Sequence, residues 1–282
     1  MMLRSCEGPI MRFYALSVYL FLYIPIGVIA LFSFNAGRNA SQLQGLSTKW
    51  YGVALSNPFV MDALKTSLTV ALTAAFLATA FGTMAAVALQ GIHGPVRKAF
   101  DLLIYVAVMI PGIVIGIATL IGLVTVFDQL NPLLATIWPG GATPPKLQMG
   151  MGSLIAAHTM FLMALVIIIV RARLAGMDRA LTEASSDLYA TPFGTFRQVT
   201  LPLIFPAVLA GFLLSFTFSF DDFIIAFFVA GSETTLPVYV FSSIRRGVTP
   251  EINAIGTMVL AVSLILLFAA QILLRRGARP TR

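Results

Sequence analysis

Six long apolar stretches restrict the fold of this chain more than any other feature of its sequence. They occupy Phe13–Phe34, Thr66–Gln90, Phe100–Phe127, Met151–Val170, Leu203–Val229 and Ile252–Leu274. About 20 residues of α-helix, rising about 1.5 Å each, cross the hydrocarbon of a bilayer. The sequence therefore predicts an all-α polytopic membrane protein, with six transmembrane helices in a single transmembrane domain over residues 1–282.

Composition supports the same class. Apolar residues make up 59% of the 282 residues and charged residues 10%, whereas an ordinary soluble domain is about 25% charged. A soluble fold of this size would lack the polar surface needed to cover its apolar residues. A typical cytosolic enzyme and a disordered chain are excluded. A secreted disulfide scaffold is excluded as well, because Cys6 is the only cysteine.

Two interruptions are expected around the third stretch. Pro111-Gly112 lies inside it, which predicts a kink. Residues 128–150 follow, and they are rich in proline and glycine, with turn signals at Asn131-Pro132, Pro139-Gly140-Gly141 and Pro144-Pro145. This composition predicts a loop with at most a short helix.

The basic residues orient the predicted helices. With the N-terminus placed inside, twelve of the 18 Lys and Arg residues fall on the inner side and six on the outer side. Since cytoplasmic loops carry an excess of Lys and Arg, both termini are predicted to lie in the cytoplasm. The excess of basic residues behind the net charge of +7 is then explained by the orientation of the helices in the membrane. Lipid is expected around the chain, and no nucleic-acid partner is expected.

The inner segment after the fourth stretch has its own helical pattern. Apolar residues at steps of four, three and four form one stripe, namely Met177, Leu181, Ala184 and Leu188. Charged residues four apart lie on another face, namely Arg179, Glu183 and Asp187. Glu183 can pair with Arg179 there. The spacing predicts a helix from Met177 to Leu188.

A second short helix is expected directly afterwards. Thr191-Pro192 places a capping hydroxyl before a proline at the first helical position, which is a helix start signal. The helix should run from Pro192 to about Val199, and the fifth span should begin at Leu201-Pro202. The pattern alone equally fits a solvated connecting loop whose ion pairs are incidental.

The amino-acid sequence of this segment resembles the EAA loop of ABC-importer permease subunits. The resemblance is carried by Glu183-Ala184-Ser185, Asp187-Leu188 and Val199-Thr200-Leu201-Pro202. Further strings resemble the polyamine branch of the PotC and PotI type, and they cover nearly the whole chain. These strings are Trp50-Tyr51-Gly52, Pro111-Gly112-Ile113-Val114, His158-Thr159, Ser219-Phe220-Asp221-Asp222-Phe223 and Thr249-Pro250-Glu251-Ile252-Asn253-Ala254.

Two positions depart from the family pattern. Ser185 stands where the family has alanine, and Tyr189 stands where it has glycine. Glycine would allow a positive φ between the two short helices, whereas a tyrosine in that conformation costs about 1 kcal/mol. Either Tyr189 bears the strain or the turn is built differently.

The resemblance implies a type I ABC-importer permease fold in the inner membrane of a bacterial cell. The chain would form half of the translocation pathway for a small cationic organic solute, with a polyamine such as spermidine or putrescine expected. An opine, an amino-acid-like amine or a phosphonate stays open. The implied partners are a homologous permease subunit, a dimer of ATP-binding cassette ATPases and an external solute-binding protein.

The chain is not expected to be an enzyme or to hold a cofactor or metal. None of its four lysines follows a glycine, so it has no G-x-x-x-x-G-K-[ST] phosphate loop. ATP and Mg²⁺ would be bound by the partner ATPase. A secondary transporter would need ionisable groups near the bilayer midplane and inverted repeats. An intramembrane enzyme would need a catalytic motif such as H-E-x-x-H or G-x-S-x-G, and neither is present.

Candidate site residues form two groups. The resemblance places ATPase coupling in the segment 171–202, and the residues expected to carry it are Arg179, Leu181, Glu183, Ala184, Asp187, Leu188 and Tyr189. The residues expected along the solute pathway are Asp221, Asp222, Glu251 and Asn253. Carboxylates within a span are costly and indicate function.

Capping is the competing interpretation for the acidic residues. Ser219 or Asp221 could cap a short helix that starts at Phe223, and Thr249-Pro250-Glu251 could cap the sixth span. His158, in the fourth span, is expected to be a satisfied structural histidine rather than a pathway group.

Overall fold

The computed structural model describes residues 9–39, 42–139 and 143–277. Cys6 and the arginines at 4, 279 and 282 lie outside these ranges. The described chain is helical, with an isolated β-bridge between Asn35 and Leu46. Its helices are α1 Pro9–Ser33, α2 Lys49–Ser56, α3 Pro58–Ala88, α4 Gly94–Met109, α5 Gly112–Ile137, α6 Met151–Ala175, α7 Arg179–Asp187, α8 Pro192–Thr195, α9 Leu201–Asp221, α10 Ile224–Val229, α11 Leu236–Arg246 and α12 Pro250–Gly277.

The helices agree with the predicted set of six spans. Five segments are long and apolar enough to cross a membrane, namely Met11–Ser33, Pro58–Ala88, Gly112–Ile137, Met151–Ala175 and Pro192–Asp221. A shorter apolar segment, Pro250–Ile265, supplies the sixth. The apolar side chains of α1 are exposed along the helix, as expected of a helix that faces lipid or another membrane subunit.

The third predicted span is two helices. α4 ends at Met109 and α5 begins at Gly112, with extended backbone at Ile110 and Pro111. Proline lacks an N–H group and its ring disfavours helical backbone at the preceding residue. The predicted kink is therefore a complete break.

The prediction of mainly loop over 128–150 was wrong for its first part, since α5 continues to Ile137 with Pro132 inside it. Asn131 does not end the helix. Its amide nitrogen donates to the Leu147 carbonyl at 3.0 Å, and its oxygen accepts from the Leu147 N–H at 2.7 Å. Asn131, which indicated a local turn in the sequence, instead binds the backbone of Leu147 in the loop before α6.

The fifth predicted span differs at both ends. Its helical course begins at Pro192, passes through a π-helical turn at Phe196–Thr200 and continues as α9 to Asp221. The apolar stretch after Asp222 is the separate helix α10.

Two compact units make up the chain. One comprises residues up to 61 together with 240–267, and the other comprises 62–239 together with the chain from 268 onward. In the first unit, buried Asn35 organises the loop after α1. Its amide nitrogen donates to the carbonyls of Asn39 and Gln42, and its oxygen accepts from the N–H groups of Gly37 and Gln44.

The second unit is built around α3, α6 and α9. A Cβ added to Gly82 would lie 2.8 Å from the Cβ of Val166, so glycine allows α3 and α6 to approach closely. Val166 and Val170 of α6 pack with Ile204 of α9 in one core cluster. At one end of α6, the Arg171 guanidinium donates to the Asp101 carboxylate of α4. These contacts hold α6 rigidly, and the chain continues from it into α7.

Candidate functional site

The first candidate site is the two-helix segment, residues 178–200. α7 begins at Arg179 because the Asp178 carboxylate accepts a hydrogen bond from the Ala180 N–H at 3.0 Å. It ends at Asp187, so the helix predicted over 177–188 is confirmed within two residues. Residues 171–175 still belong to α6.

The residues predicted for coupling are accessible in the isolated chain. Leu181 is 46% exposed and Leu188 is 82% exposed, while Ala184, Glu183 and Asp187 are also exposed. The backbone of Arg179 lies in α7, but its side chain lies outside what the structure describes. The predicted apolar stripe therefore points away from the body of this chain, except at Met177, which packs against the core around Val166.

The turn between the two helices has a left-handed residue at its centre. Tyr189 has φ +58°, so the tyrosine bears the strain and the turn keeps the form that glycine would favour. The Tyr189 N–H donates to the Ser186 carbonyl at 2.9 Å, and the Ala190 N–H donates to the Ser185 carbonyl at 3.1 Å. These two bonds form a Schellman motif, which satisfies the last carbonyls of α7.

The second helix begins where Thr191-Pro192 predicted it. The Thr191 hydroxyl accepts from the Gly194 N–H at 3.1 Å, and Pro192 occupies the first helical turn. The Ser185 and Thr195 hydroxyls are hydrogen-bonded at 2.9 Å, which joins α7 to α8. The helical course then continues into α9 without a break, so the two-helix segment is directly connected to a membrane-spanning helix.

Glu183 lies beside a cleft of about 380 Å³. The cleft is lined by Val87 near the end of α3, by Gln90 just after it, by residues of α7, and by Pro192, Thr195 and other residues of the following helix. The carboxylate is therefore solvent-accessible and faces polar side chains, and it is available for a contact with another protein.

The second candidate site lies at the break between α9 and α10. Asp222 has extended backbone, and its carboxylate Oδ2 accepts a hydrogen bond from the Ala226 N–H at 3.0 Å. The expected break is present, but the capping residue was predicted to be Ser219 or Asp221, and this was wrong. Asp222 lies two residues before the first residue of α10, close enough for its carboxylate to reach the Ala226 N–H, whereas the Ser219 hydroxyl is hydrogen-bonded to His158. Asp221, in contrast, is exposed.

A polar cluster joins this break to α6. It consists of His158, Ser219 and Asp222. His158 is only 2% exposed, and its Nδ1 is hydrogen-bonded to the Ser219 hydroxyl at 2.7 Å. Its Nε2 lies 3.6 Å from Asp222 Oδ2 and has no hydrogen-bond partner among the described residues. The expected structural histidine is thus satisfied at one nitrogen only.

The sequence pattern does not connect these three residues. His158 and Ser219 are 61 residues apart, and no spacing rule connects positions so distant. The only signal available was the presence of polar residues at similar depth in two apolar spans, which is suggestive but does not identify a pair.

Glu251 and Asn253 lie at the start of α12, in the other compact unit from Asp221 and Asp222. The Glu251 carboxylate accepts a hydrogen bond from the Asn57 amide at 2.9 Å, and an acidic residue in the first turn is also favoured by the helix dipole. α12 begins at Pro250, two residues before the predicted start of the sixth span at Ile252 and within the predicted cap Thr249-Pro250-Glu251. Across the described ranges, no three His, Cys, Asp or Glu side chains converge as a metal site would require.

Comparison with known proteins gives three kinds of likeness. The profile of the family described as "Binding-protein-dependent transport system inner membrane component" matches residues 78–279. The putrescine transport system permease protein PotI of Escherichia coli K12 is 38% identical over 264 residues, covering 93% of this chain and 89% of that protein. The spermidine/putrescine transport system permease protein PotC of the same strain is 36% identical over 260 residues, covering 92% and 91%.

Solved structures show the same fold. A chain of a bacterial ABC transporter involved in the import of the acidic polysaccharide alginate superposes with a TM-score of 0.75 at 16% identity, covering 95% of both chains. A chain of the MetNI methionine ABC transporter superposes with a TM-score of 0.59 at 16% identity, covering 78% of this chain and 97% of that one. At these identities the likeness establishes the fold alone.

Proposed function

The chain belongs to the family of binding-protein-dependent transport system inner membrane components, and from this premise we propose that it forms one half of the translocation pathway of an ATP-driven importer. The observation that carries the proposal is the two-helix segment. It exposes apolar side chains at one end and continues into α9 at the other. Such a segment can take up force from another protein and pass it to the membrane helices.

The energy comes from a partner. The chain has no phosphate-binding loop of the G-x-x-x-x-G-K-[ST] form, so ATP and Mg²⁺ are bound by an ATPase of the ATP-binding cassette type. Leu181, Ala184 and Leu188 pack in a groove of that ATPase, and Glu183 makes a polar contact at its edge. Closure of an ATPase pair on ATP moves the segment, and the spans reorient to open outward.

The remaining partners follow from the same arrangement. A second, homologous permease completes the pathway. An external solute-binding protein delivers the solute. Both termini lie in the cytoplasm, which places the two-helix segment on the side where ATP is found; the excess of inner Lys and Arg supports this orientation.

The solute is a small organic cation, with a polyamine as our choice. The names of the two E. coli relatives specify putrescine and spermidine/putrescine transport. An exposed carboxylate at Asp221, beside the partly buried Asp222, suits the passage of an ammonium group. Glu251 and Asn253 are weaker candidates for the pathway because Glu251 is already hydrogen-bonded to Asn57. An opine, an amino-acid-like amine or a phosphonate is the alternative solute.

Glu183→Arg tests the coupling role. The complete transporter with its ATPase and solute-binding protein should be reconstituted in lipid nanodiscs. We expect the variant to insert normally and to lose the rise in ATP turnover that loaded binding protein produces in the wild type, because a cation replaces the anionic contact.

Asp62→Arg is the matched control, since it makes the same charge change at an exposed carboxylate on α3, with its side chain 76% exposed. Wild-type coupling in Glu183→Arg would refute the docking role of the two-helix segment.

A further inference from the structure

The short helix α10 is packed inside the second compact unit. Its residues Ile225, Ala226 and Val229 are buried in one core cluster with residues of α6, including Leu154. The Ser153 hydroxyl of α6 donates to the Val229 carbonyl at 2.7 Å. The last residue of α10 is therefore attached to α6 by a buried hydrogen bond.

The other end of α10 meets α6 at the polar cluster. Asp222 Oδ2, which accepts from the Ala226 N–H, lies 3.6 Å from His158 Nε2. That separation is longer than a hydrogen bond, yet the ring nitrogen is buried and bonds to no other group in the described part of the chain. Since a buried polar atom without a partner is costly, Asp222 is the group toward which His158 is built.

The surroundings of the ring assign the tautomer of His158. A neutral imidazole carries one proton, either on Nδ1 or on Nε2. With the proton on Nδ1, the bare Nε2 would face a carboxylate oxygen, and two acceptors would repel each other. With the proton on Nε2, the Ser219 hydroxyl donates to Nδ1 and the Nε2–H faces Asp222. The second arrangement gives each ring nitrogen a suitable neighbour, so His158 presents an N–H group to the carboxylate.

The two adjacent aspartates are consequently in different situations. The Asp222 side chain is 21% exposed and is engaged by α10 and faced by His158. Asp221 is the last residue of α9 and is exposed. A solute ammonium group can reach the Asp221 carboxylate without disturbing the cap of α10, and such a charge-assisted contact is strong.

We propose that His158 is a positioning residue of the solute pathway. It holds the Asp222 carboxylate in place as the cap of α10, and the cap fixes the end of α9, so that Asp221 is presented to the cationic solute. His158 is only 2% exposed, and it acts through Asp222 without touching the solute. This inference rests on the proposed function, because it names the residue that receives the ammonium group and the residue that positions it.

Two amide variants separate the two nitrogens of His158. The amide of glutamine lies as many bonds from Cα as Nε2 does, so His158→Gln keeps a donor near Asp222. The amide of asparagine matches Nδ1, so His158→Asn keeps a partner for Ser219 alone. Both should be compared with the wild type in the complete transporter, with its ATPase and solute-binding protein, reconstituted in proteoliposomes.

The quantity to measure is putrescine uptake per ATP hydrolysed. Misfolded complexes contribute to neither process, so a loss of folding alone does not change this ratio. We expect His158→Gln to stay within about twofold of the wild type. We expect the ratio to fall about fivefold in His158→Asn, the change that corresponds to loss of one hydrogen bond.

Ser67→Ala is the matched control for stability. The Ser67 hydroxyl of α3 accepts from the Leu236 N–H at 2.8 Å in a buried position, so the variant also loses one buried hydrogen bond. Its melting temperature should fall while uptake per ATP stays at the wild-type value. An equal fall of uptake per ATP in Ser67→Ala and His158→Asn, or equal ratios in the two His158 variants, would overturn the role of His158.

Single variants of the aspartates test which of them receives the solute. Asp221→Asn should lower uptake per ATP about tenfold, because it removes a charge-assisted contact. Asp222→Asn keeps a capping oxygen and should lower the ratio about twofold or less. The reverse order would assign the solute to Asp222 and refute this inference.

Failure of the proposed function has a different signature. It would appear in the wild-type assembly itself, as ATP turnover that loaded binding protein does not raise and as absence of putrescine uptake, and the role of His158 would fall with it. Uncoupling by Glu183→Arg together with equal ratios in the two His158 variants would leave the proposed function standing and refute the positioning role alone.

Discussion

The two-helix segment and the polar cluster are built in opposite ways. The segment is held by hydrogen bonds between residues at most ten positions apart, such as that between Ser185 and Thr195, and it exposes its apolar side chains. The polar cluster joins residues 61 positions apart on α6 and α9, and His158 is buried. A surface that exposes apolar side chains can thus be formed locally, whereas a buried polar cluster requires several helices to pack first.

This contrast implies that variants in the two regions should fail differently. An exposed side chain of the segment can be changed without loss of folding, because surface substitutions away from special features alter stability by about 0.5 kcal/mol or less. A change in the cluster should alter stability as well as transport, since it affects a cap and buried polar groups.

The largest effect is expected for Leu188→Asp. A carboxylate in place of an apolar contact should lower solute-stimulated ATP turnover of the complete transporter about tenfold or more, while the melting temperature of the permease stays close to that of the wild type. Leu46→Asp is the control, because Leu46 is 73% exposed in the loop between α1 and α2. A stability loss with intact coupling would show that Leu188 contributes to folding rather than to an external contact.

An intermediate effect is expected at the α9–α10 break. Asp222→Ala removes the carboxylate that caps α10 and should lower the free energy of unfolding by about 1 kcal/mol. Asp222→Asn keeps a capping oxygen and should be nearly as stable as the wild type, so thermal unfolding of the two variants separates the cap from the charge.

The charge itself is tested by the double variant Asp221→Asn with Asp222→Asn. Uptake of putrescine into proteoliposomes should fall about tenfold, since a charge-assisted contact contributes about 1.5–3 kcal/mol. Normal uptake with normal affinity would leave only the capping role for these residues.

The smallest effect is expected for Ser185→Ala. Loss of the hydrogen bond to Thr195 should cost about 0.5–1.5 kcal/mol locally and should raise amide exchange in α7 and α8 without preventing ATPase binding. Ser186→Ala is the control, because its hydroxyl bonds to the Thr182 carbonyl within the same helix. A double-mutant cycle with Thr195→Ala measures the pair, and additive effects would show that the two hydroxyls do not cooperate.

Sequence reasoning worked well where neighbours in the chain decide the structure. The bounds of α7 and the cap at Thr191 followed from spacing and from capping chemistry. For Tyr189 the sequence left two possibilities open, and the structure shows that the tyrosine adopts the left-handed conformation. It was less successful where a side chain forms its hydrogen bond with a distant residue instead of with its neighbours in the chain. Asn131 suggested a turn but binds Leu147, and Ser219 suggested a cap but binds His158.

By itself, the sequence determined that this chain is a helical membrane protein, because hydropathy acts over the length of each span. Its spacing and capping residues indicated two short helices between two spans but fitted a solvated loop equally well, and the structure shows the two helices. Only the tertiary structure decided that α4 and α5 separate completely, that Asp222 caps α10, and that His158 meets Ser219 and Asp222. Those outcomes depend on which helices pack together, and packing brings together side chains that no local spacing relates.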